Sequence, residues 1–382
     1  MNIVFISHEI SDTTLLGSSL SLDNMINSIR QYCDNIYIVT PNKGKAFNYF
    51  SAKGYCCIAV PFKKATISTK NIYRNILVYL PKLVVYLLCN LYCLIRLQIF
   101  FCNKNISIVH SNSSVIDFGY YLSKVIHAQH VWHIREFQDL DFSMKPFFGW
   151  NYLHHLIKKS AYSISITEPI AKHHKLLGLK NNIILNDAVR KRTEVFNLWP
   201  KKKFFLFCGH ICKAKGADLA IKAFSQFCES TNDVKDYRLI LCGHYSECFK
   251  KELLSINNKI NNRIEFLGYQ LDVSIYYKEA TAFLMCSDNE GLGRVTIEAM
   301  FYGCPIIGRN SGGTRFLLSD GKNGFPFNSI EECVKAMKTV VSDELLTREK
   351  VATAQAFAIN AFSEEVYGKK IVGIYHNILE NV

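Results

Sequence analysis

TAFLMCSDNEGLGRVTIEAMFYGCPIIGRNSGGTRFLLSDGKNG, residues 281–324, decides how this chain is read. Ala282-Phe283-Leu284-Met285 is an unbroken apolar run, the pattern of a strand buried on both faces. A tight glycine-bearing turn follows, Asn289-Glu290-Gly291-Leu292-Gly293. Then Val295, Ile297, Ala299 and Met300 recur at helical spacing, until Gly303 and Pro305 stop the helix and Ile306-Ile307 opens another strand. A glycine turn between strand and helix points backbone N–H groups and the positive end of the helix dipole outward. Such a place binds phosphate.

Two glutamates bracket the turn. Glu290 lies in the loop, and Glu298 stands eight residues later, inside the helix. Carboxylates accept hydrogen bonds from hydroxyls, so this pair suits a diphosphate with hydroxyls at both ends, as in a nucleotide sugar. The plainer reading pairs Glu298 with Arg294 at i,i+4, worth ~0.3–0.5 kcal/mol, and leaves Glu290 a solvated turn residue. Spacing alone favours the plainer reading.

The wider pattern shifts the balance. Ser287-x-x-Glu290-Gly-x-Gly-x-x-x-x-Glu298-Ala, then Gly303-x-Pro305 and Gly312-Gly313, resembles the donor-site signature of retaining glycosyltransferases of family 4. That resemblance implies an α/β chain of the GT-B type, two Rossmann-like domains facing across a cleft, with a C-terminal helix crossing back to the first. It also implies that Glu290, Gly291, Leu292, Gly293, Arg294, Val295 and Glu298 hold the donor.

Composition agrees with such a chain. At 382 residues two domains are expected. The formal charge is +13 from 45 basic and 32 acidic residues, which suits an anionic substrate or an anionic membrane face. No basic run interleaved with aromatics forms a nucleic-acid module, so nucleic acid is not expected as a partner. The 14 cysteines are scattered, several in apolar runs such as Cys89, Cys93 and Cys286, and Cys208-x3-Cys212 lacks a second ligand pair. They read as small buried hydrophobes. The N-terminus lacks a charged n-region, and with reduced thiols this points to the cytoplasm.

Along the chain, residues 2–7 read as an opening strand. The loop 8–18 then leads through Gly17 into a helix, an anion-friendly geometry that the resemblance sets near the sugar and phosphate. Residues 36–39 and 57–61 read as further strands. Residues 72–101 are strongly apolar but interrupted by Pro81, Lys82, Asn90 and Arg96, too punctuated for a membrane span of ~20 residues. They read as a helix either wholly buried or laid on an anionic membrane face, with Lys63, Lys64, Lys70, Arg74, Lys82 and Arg96 near the headgroups.

A strand ending at His110 carries Ser111, Asn112 and Ser113 behind it, and another ends in Trp132-His133-Ile134-Arg135-Glu136. Polar strand tails gather ligands in open parallel sheets, which nominates His110, Asn112 and Arg135 for an acceptor. For Arg135 an ion pair with Glu136 or a neighbour is the simpler role. The resemblance gives His133 a place against the transferred sugar. Asp139-Leu140-Asp141 is formally a metal-binding D-x-D, but it falls in an expected loop of a two-domain chain and reads as incidental. No metal or other cofactor is expected.

Residues 163–167 and 183–187 complete a first domain, 1–188, followed by a basic linker, 189–203. A second domain covers 204–361, and 362–382 forms the terminal helix. In the second domain Gly209-His210 precedes Lys215-Gly216. The resemblance puts both cations on the diphosphate, with His210 where family members carry arginine. Histidine donates to phosphate but lacks the bidentate fork. Gly268 and Tyr269 close a later strand in the loop that the family sets beside the base. Phe316 departs from the glutamate often found after the double glycine.

The activity implied is transfer of a hexose-type sugar, with retention, from a UDP- or GDP-sugar. The implied acceptor is a glycan or an undecaprenyl-diphosphate-linked glycan of a capsule, exopolysaccharide or O-antigen, at the inner membrane face. Lys215, Glu290 and His133 are the expected catalytic set. Two alternatives stand beside this reading: a GT-B sugar-nucleotide epimerase, and a non-catalytic membrane-associated scaffold.

Overall fold

The computed structural model describes residues 1–13, 17–69, 72–230, 234–288 and 290–380, apart from the side chains of 72–76 and 141. Lys70, Asn289 and part of the loop 8–18 lie outside the described residues, as do the side chains of Arg74 and Asp141. The chain forms two compact units, one of Met1–Ala188 with Glu364–Val382, the other of Val189–Ser363. The basic stretch 189–203 thus lies within the second unit.

In the first unit the strands are β1 (Asn2–Ile6), β2 (Asn35–Thr40), β3 (Cys56–Ala59), β4 (Thr66–Ser68), β5 (Ile108–Ser111), β6 (Gln129–Ile134), β7 (Met144–Pro146), β8 (Tyr162–Ser165) and β9 (Asn182–Ile184). Seven form a parallel sheet in the order β3-β2-β1-β5-β6-β8-β9, while β4 and β7 pair antiparallel beside it. Because both faces are covered, β1 and β5 are almost wholly buried, and Ile3, Phe5 and Ile108 share a core with Leu22, Met25 and Ile26. The helix Glu364–Glu380 adds Ile371, Val372 and Tyr375 to that core, so the chain's end completes the first unit.

The second unit is a six-stranded parallel sheet of β10 (Lys202–Cys208), β11 (Arg238–Cys242), β12 (Ile264–Gly268), β13 (Ala280–Met285), β14 (Ile306–Arg309) and β15 (Phe325–Phe327). Its order is β12-β11-β10-β13-β14-β15, so the winding direction reverses between β10 and β13. In the first unit it reverses between β1 and β5. Both units are doubly wound.

Two sequence expectations are corrected. Asp139–Phe142 is one helical turn rather than a loop, and Asp139 pairs with His173 at 3.0 Å. Residues 72–101 form the expected helix, Ile72–Phe101 with Pro81 inside it, but one face is exposed, so it is not wholly buried, and it is not too punctuated for a span. Pro81 lies on the exposed side, where a carbonyl deprived of its partner is solvated at little cost. By length and composition, Leu77–Phe101 is long and apolar enough to cross a membrane.

The first unit buries an unusual number of histidines. Burial, helped by the charges of Lys64 and Arg135 and opposed by Glu136, lowers His8 to about 4. Burial lowers His130 to about 3, and His154 and His174 to about 4. It drives His110 and His133 well below the ordinary value. In the unfolded chain these rings take up protons near pH 6.5, so below that pH the unfolded state binds more protons than the folded one. Stability is therefore present above pH 6.5 and lost as pH falls toward 4, at up to about 1.4 kcal/mol per pH unit for each such ring. Melting followed from about pH 7.5 to about pH 5.5 is expected to fall steeply. A flat profile contradicts the neutral, buried assignment.

Candidate functional site

In open α/β sheets, ligands collect where the winding reverses, outside the carboxyl ends of the strands. In the second unit three loops meet there. The first leaves β10 through Gly209 and exposed His210 to the short turn Lys213–Lys215, closed by Gly216 at φ 73°. A Cβ on Gly216 would collide with the carbonyl of Cys286, just past β13. Only glycine lets the lysine loop lie against the second loop.

That second loop carries Glu290. Lys215 Nζ donates to Glu290 Oε1 at 2.5 Å, and Ser287 Oγ donates to the Ala214 carbonyl at 3.4 Å. The third loop follows β14. Gly313 N–H donates to the Glu290 carbonyl at 2.7 Å. A Cβ on Gly313 would stand 2.7 Å from the Gly291 carbonyl oxygen, and one on Gly312 would stand 2.9 Å from that of Glu290. The double glycine is what allows the Glu290–Gly291 backbone to sit on the start of the helix Gly312–Leu318. Arg309, closing β14, pairs with Asp288 at 2.8 Å and brings another cation to the same end of the sheet.

Gly293, at φ 75°, caps the helix Arg294–Phe301. The positive end of that helix lies at Gly293 and Arg294, where its dipole favours an anion. Leu292 is buried in the core beneath, which anchors the loop. Glu298, farther along the helix and 18% exposed, faces the Arg190 guanidinium at 3.8 Å. Arg190 also reaches Glu194 at 3.7 Å and lies over the Tyr302 ring. Sequence reading missed Arg190. Nothing in the spacing could have signalled it, because the pair forms only once the segment carrying Arg190, bridged to Ser363, and the helix Arg294–Phe301 are packed in one unit. At the end of β12, Gly268 takes φ 69° and Tyr269 is exposed, its ring stacked on His244 at 4.8 Å and 10°.

Lys215 is 40% exposed, and an ion pair so open to water is worth only ~0–1 kcal/mol. Its geometry is therefore not explained by stability. It leaves a cation and a carboxylate facing each other where phosphate and hydroxyls would come between them.

The first-unit candidates are arranged differently. His110 Nε2 and His133 Nδ1 are 3.2 Å apart, and Tyr375 Oη meets His110 Nδ1 at 2.7 Å. Arg135 Nε donates to Asn112 Oδ1 at 3.0 Å, and its guanidinium forms an ion pair with Asp187, not with Glu136. Glu136 is taken instead by the Ser113 and Ser114 hydroxyls and the Ser114 N–H. His110, Asn112 and His133 are wholly buried, and Arg135 nearly so. Their hydrogen-bonding atoms face one another. At Gly17, which opens the helix Gly17–Ile29, a Cβ would meet nothing, so sterics do not require glycine there.

Among the described residues, no three His, Cys, Asp or Glu side chains stand close enough together to hold a metal ion. All fourteen cysteines are free thiols.

Residues 189–358 match the family model of glycosyl transferases group 1. The match spans nearly all of the second unit and every donor-side residue named above except Gly17. An uncharacterized glycosyltransferase of Haemophilus influenzae is 31% identical over 146 residues, 37% of this chain and 40% of that protein. The lipopolysaccharide core biosynthesis glycosyltransferase LpsE of Rhizobium meliloti is 25% identical over 146 residues, 38% of this chain and 43% of its own. The matches thus span about two fifths of the length of these curated relatives. Among solved structures, Anabaena HepE in complex with UDP superposes with a TM-score of 0.77 at 16% identity, covering 99% of this chain and 100% of HepE. At that identity the likeness is one of fold, and the fold is GT-B.

Replacing Gly216 by alanine combines an unfavourable positive φ with the collision at Cys286. It is expected to cost ~1–3 kcal/mol in urea unfolding. An unchanged midpoint contradicts the close approach of the two loops.

Proposed function

We propose that this chain is a retaining glycosyltransferase that moves a hexose-type sugar from a nucleotide diphosphate, with UDP the favoured carrier, to a cell-surface glycan acceptor. The observation that carries the proposal is the meeting of Lys215, Glu290 and the Gly293-capped helix at the point where the second sheet reverses. The group 1 match over 189–358 and the UDP held by HepE, a protein of the same fold, support it. LpsE, named for lipopolysaccharide core biosynthesis, supports a polysaccharide acceptor, and an undecaprenyl-diphosphate-linked glycan has the matching chemistry.

On this reading the incoming diphosphate takes Lys215 from Glu290. The lysine, exposed His210 and the N–H groups beyond Gly293 then share its charge. Glu290, released, accepts from the sugar hydroxyls. Glu298, with Arg190 beside it, accepts from the ribose, and the Tyr269–His244 stack offers a flat face to the base. The anomeric carbon–oxygen bond to the diphosphate breaks while the acceptor oxygen bonds that carbon from the same face. The acceptor proton passes to the departing phosphate oxygen. No protein nucleophile is needed, and the cations stabilise the leaving charge where it develops, without a metal.

Lys215→Ala is expected to abolish transfer and to remove stabilisation by UDP in a thermal-shift assay. The ligand-free melt should stay within ~1 kcal/mol of the parent, because the pair it breaks is solvated. Normal turnover by this variant contradicts the assignment. Release of isomerised nucleotide sugar without acceptor would point to an epimerase, and failure of the parent to bind any nucleotide diphosphate to a scaffold. Glu298→Gln is expected to raise KM for the donor more than it lowers kcat. A pure loss of kcat would place Glu298 at the reacting carbon instead of the ribose.

A further inference from the structure

The helix Ile72–Phe101 has two faces of opposite fate. Tyr86, Asn90, Cys93, Leu97 and Phe101 are buried against the first unit. On the opposite side Leu80, Val84, Leu88, Leu91, Ile95 and Ile99 form one stripe, each between 47% and 70% exposed. At 1.5 Å per residue the stripe is about 29 Å long, far more apolar surface than a soluble monomer leaves to water on one element. There is no acidic residue between 72 and 101, and Lys82 and Arg96 lie along the same flank of the stripe. Beside Lys82 a groove of roughly 480 Å³ opens, lined by Val78, Pro81, Val85 and Phe147 on its apolar side and by Lys63, Lys64 and Lys82 on its charged side.

Composition would let this helix cross a bilayer, but its buried face argues otherwise. Tyr86 Oη donates to Asp117 at 2.6 Å. Asn90 accepts from the Lys63 N–H at 2.7 Å and donates to the Lys63 carbonyl at 3.3 Å. Tyr79 Oη donates to the Phe147 carbonyl at 3.0 Å. Insertion would strip these polar groups of their partners. Lying flat keeps them all and covers the apolar stripe.

We infer that the outer face of this helix rests on the anionic surface of a lipid bilayer, with a lipid phosphate seated among Lys63, Lys64 and Lys82 and its hydrocarbon along Val78, Pro81 and Val85. The charge pattern chooses this occupant. A cation row beside an apolar stripe matches a headgroup–acyl boundary, whereas two copies stacked face to face would set cation against cation. The inference does not depend on the transfer reaction.

The test is co-sedimentation of the full chain, without nucleotide or acceptor, with vesicles of phosphatidylcholine alone or mixed with phosphatidylglycerol. Binding is expected mainly to the mixed vesicles, with release by alkaline carbonate. Lys63→Gln with Lys82→Gln is expected to weaken that binding about 25-fold, roughly fivefold for each cation removed. Leu88→Glu with Ile95→Glu is expected to abolish it. All four positions are exposed, so melting curves of both variants should match the parent. No preference for the anionic vesicles, or retention through the carbonate wash, overturns the inference. So does a dimer in lipid-free solution that the double glutamate variant makes monomeric, because a second copy would then be what covers the face.

Discussion

A solvated contact between Lys215 and Glu290 contributes little to folding, yet three loops are built to hold it in place. Gly216 lets the lysine loop touch the Cys286 carbonyl, and Gly312 and Gly313 let the Glu290 backbone lie on the next helix. Each approach is possible only without a Cβ. Gly216, Gly312 and Gly313 therefore have one common physical cause, the closeness of three backbones at the sheet's reversal point. The charged side chains are held as consequences of that packing.

The same constraint explains why the surrounding chemistry tolerates change. His210 stands where the family resemblance would set an arginine, and it is exposed at the rim, where backbone packing does not depend on its shape. Arg309, closing β14 and tied to Asp288, adds a second cation at that end of the sheet. Positive charge there comes from several loops, so the loss of one guanidinium fork leaves the electrostatic character of the place intact.

What the sequence made legible follows from the range of each interaction. Apolar runs such as 282–285 and the glycine turn after them are local, and the strands and the donor loop could be read from them directly. Pairings across the chain were not readable. Arg190 with Glu298, and Arg135 with Asp187, bring together residues that no spacing rule connects. The long helix was read as a helix, but its capacity to span a membrane was misjudged for a related reason. Proline, lysine, asparagine and arginine look like interruptions in a linear string. On the folded helix, however, Pro81 falls on the exposed side and Asn90 on the buried one, where it bridges Lys63. Periodicity assigns such residues to faces, and a run-length rule cannot.

The two units share a winding pattern but use its reversal point in opposite ways. In the second, the strand ends carry exposed or half-exposed cations and the positive end of a helix, which fits a place that exchanges water for a ligand. In the first, His110, His133, Arg135, Asp187 and Tyr375 lie together in the interior, and the last of these comes from the terminal helix, while His133 Nε2 and Asp187 Oδ1 are buried 3.6 Å apart without a hydrogen bond. Keeping the histidines neutral there costs stability at low pH, and burying the Arg135–Asp187 pair offsets desolvation only while both partners remain. Such a cluster ties the strand ends to the terminal helix through the Tyr375–His110 contact. Doubly wound topology thus supplies a candidate position twice, and the side chains placed there differ in solvation between the two units.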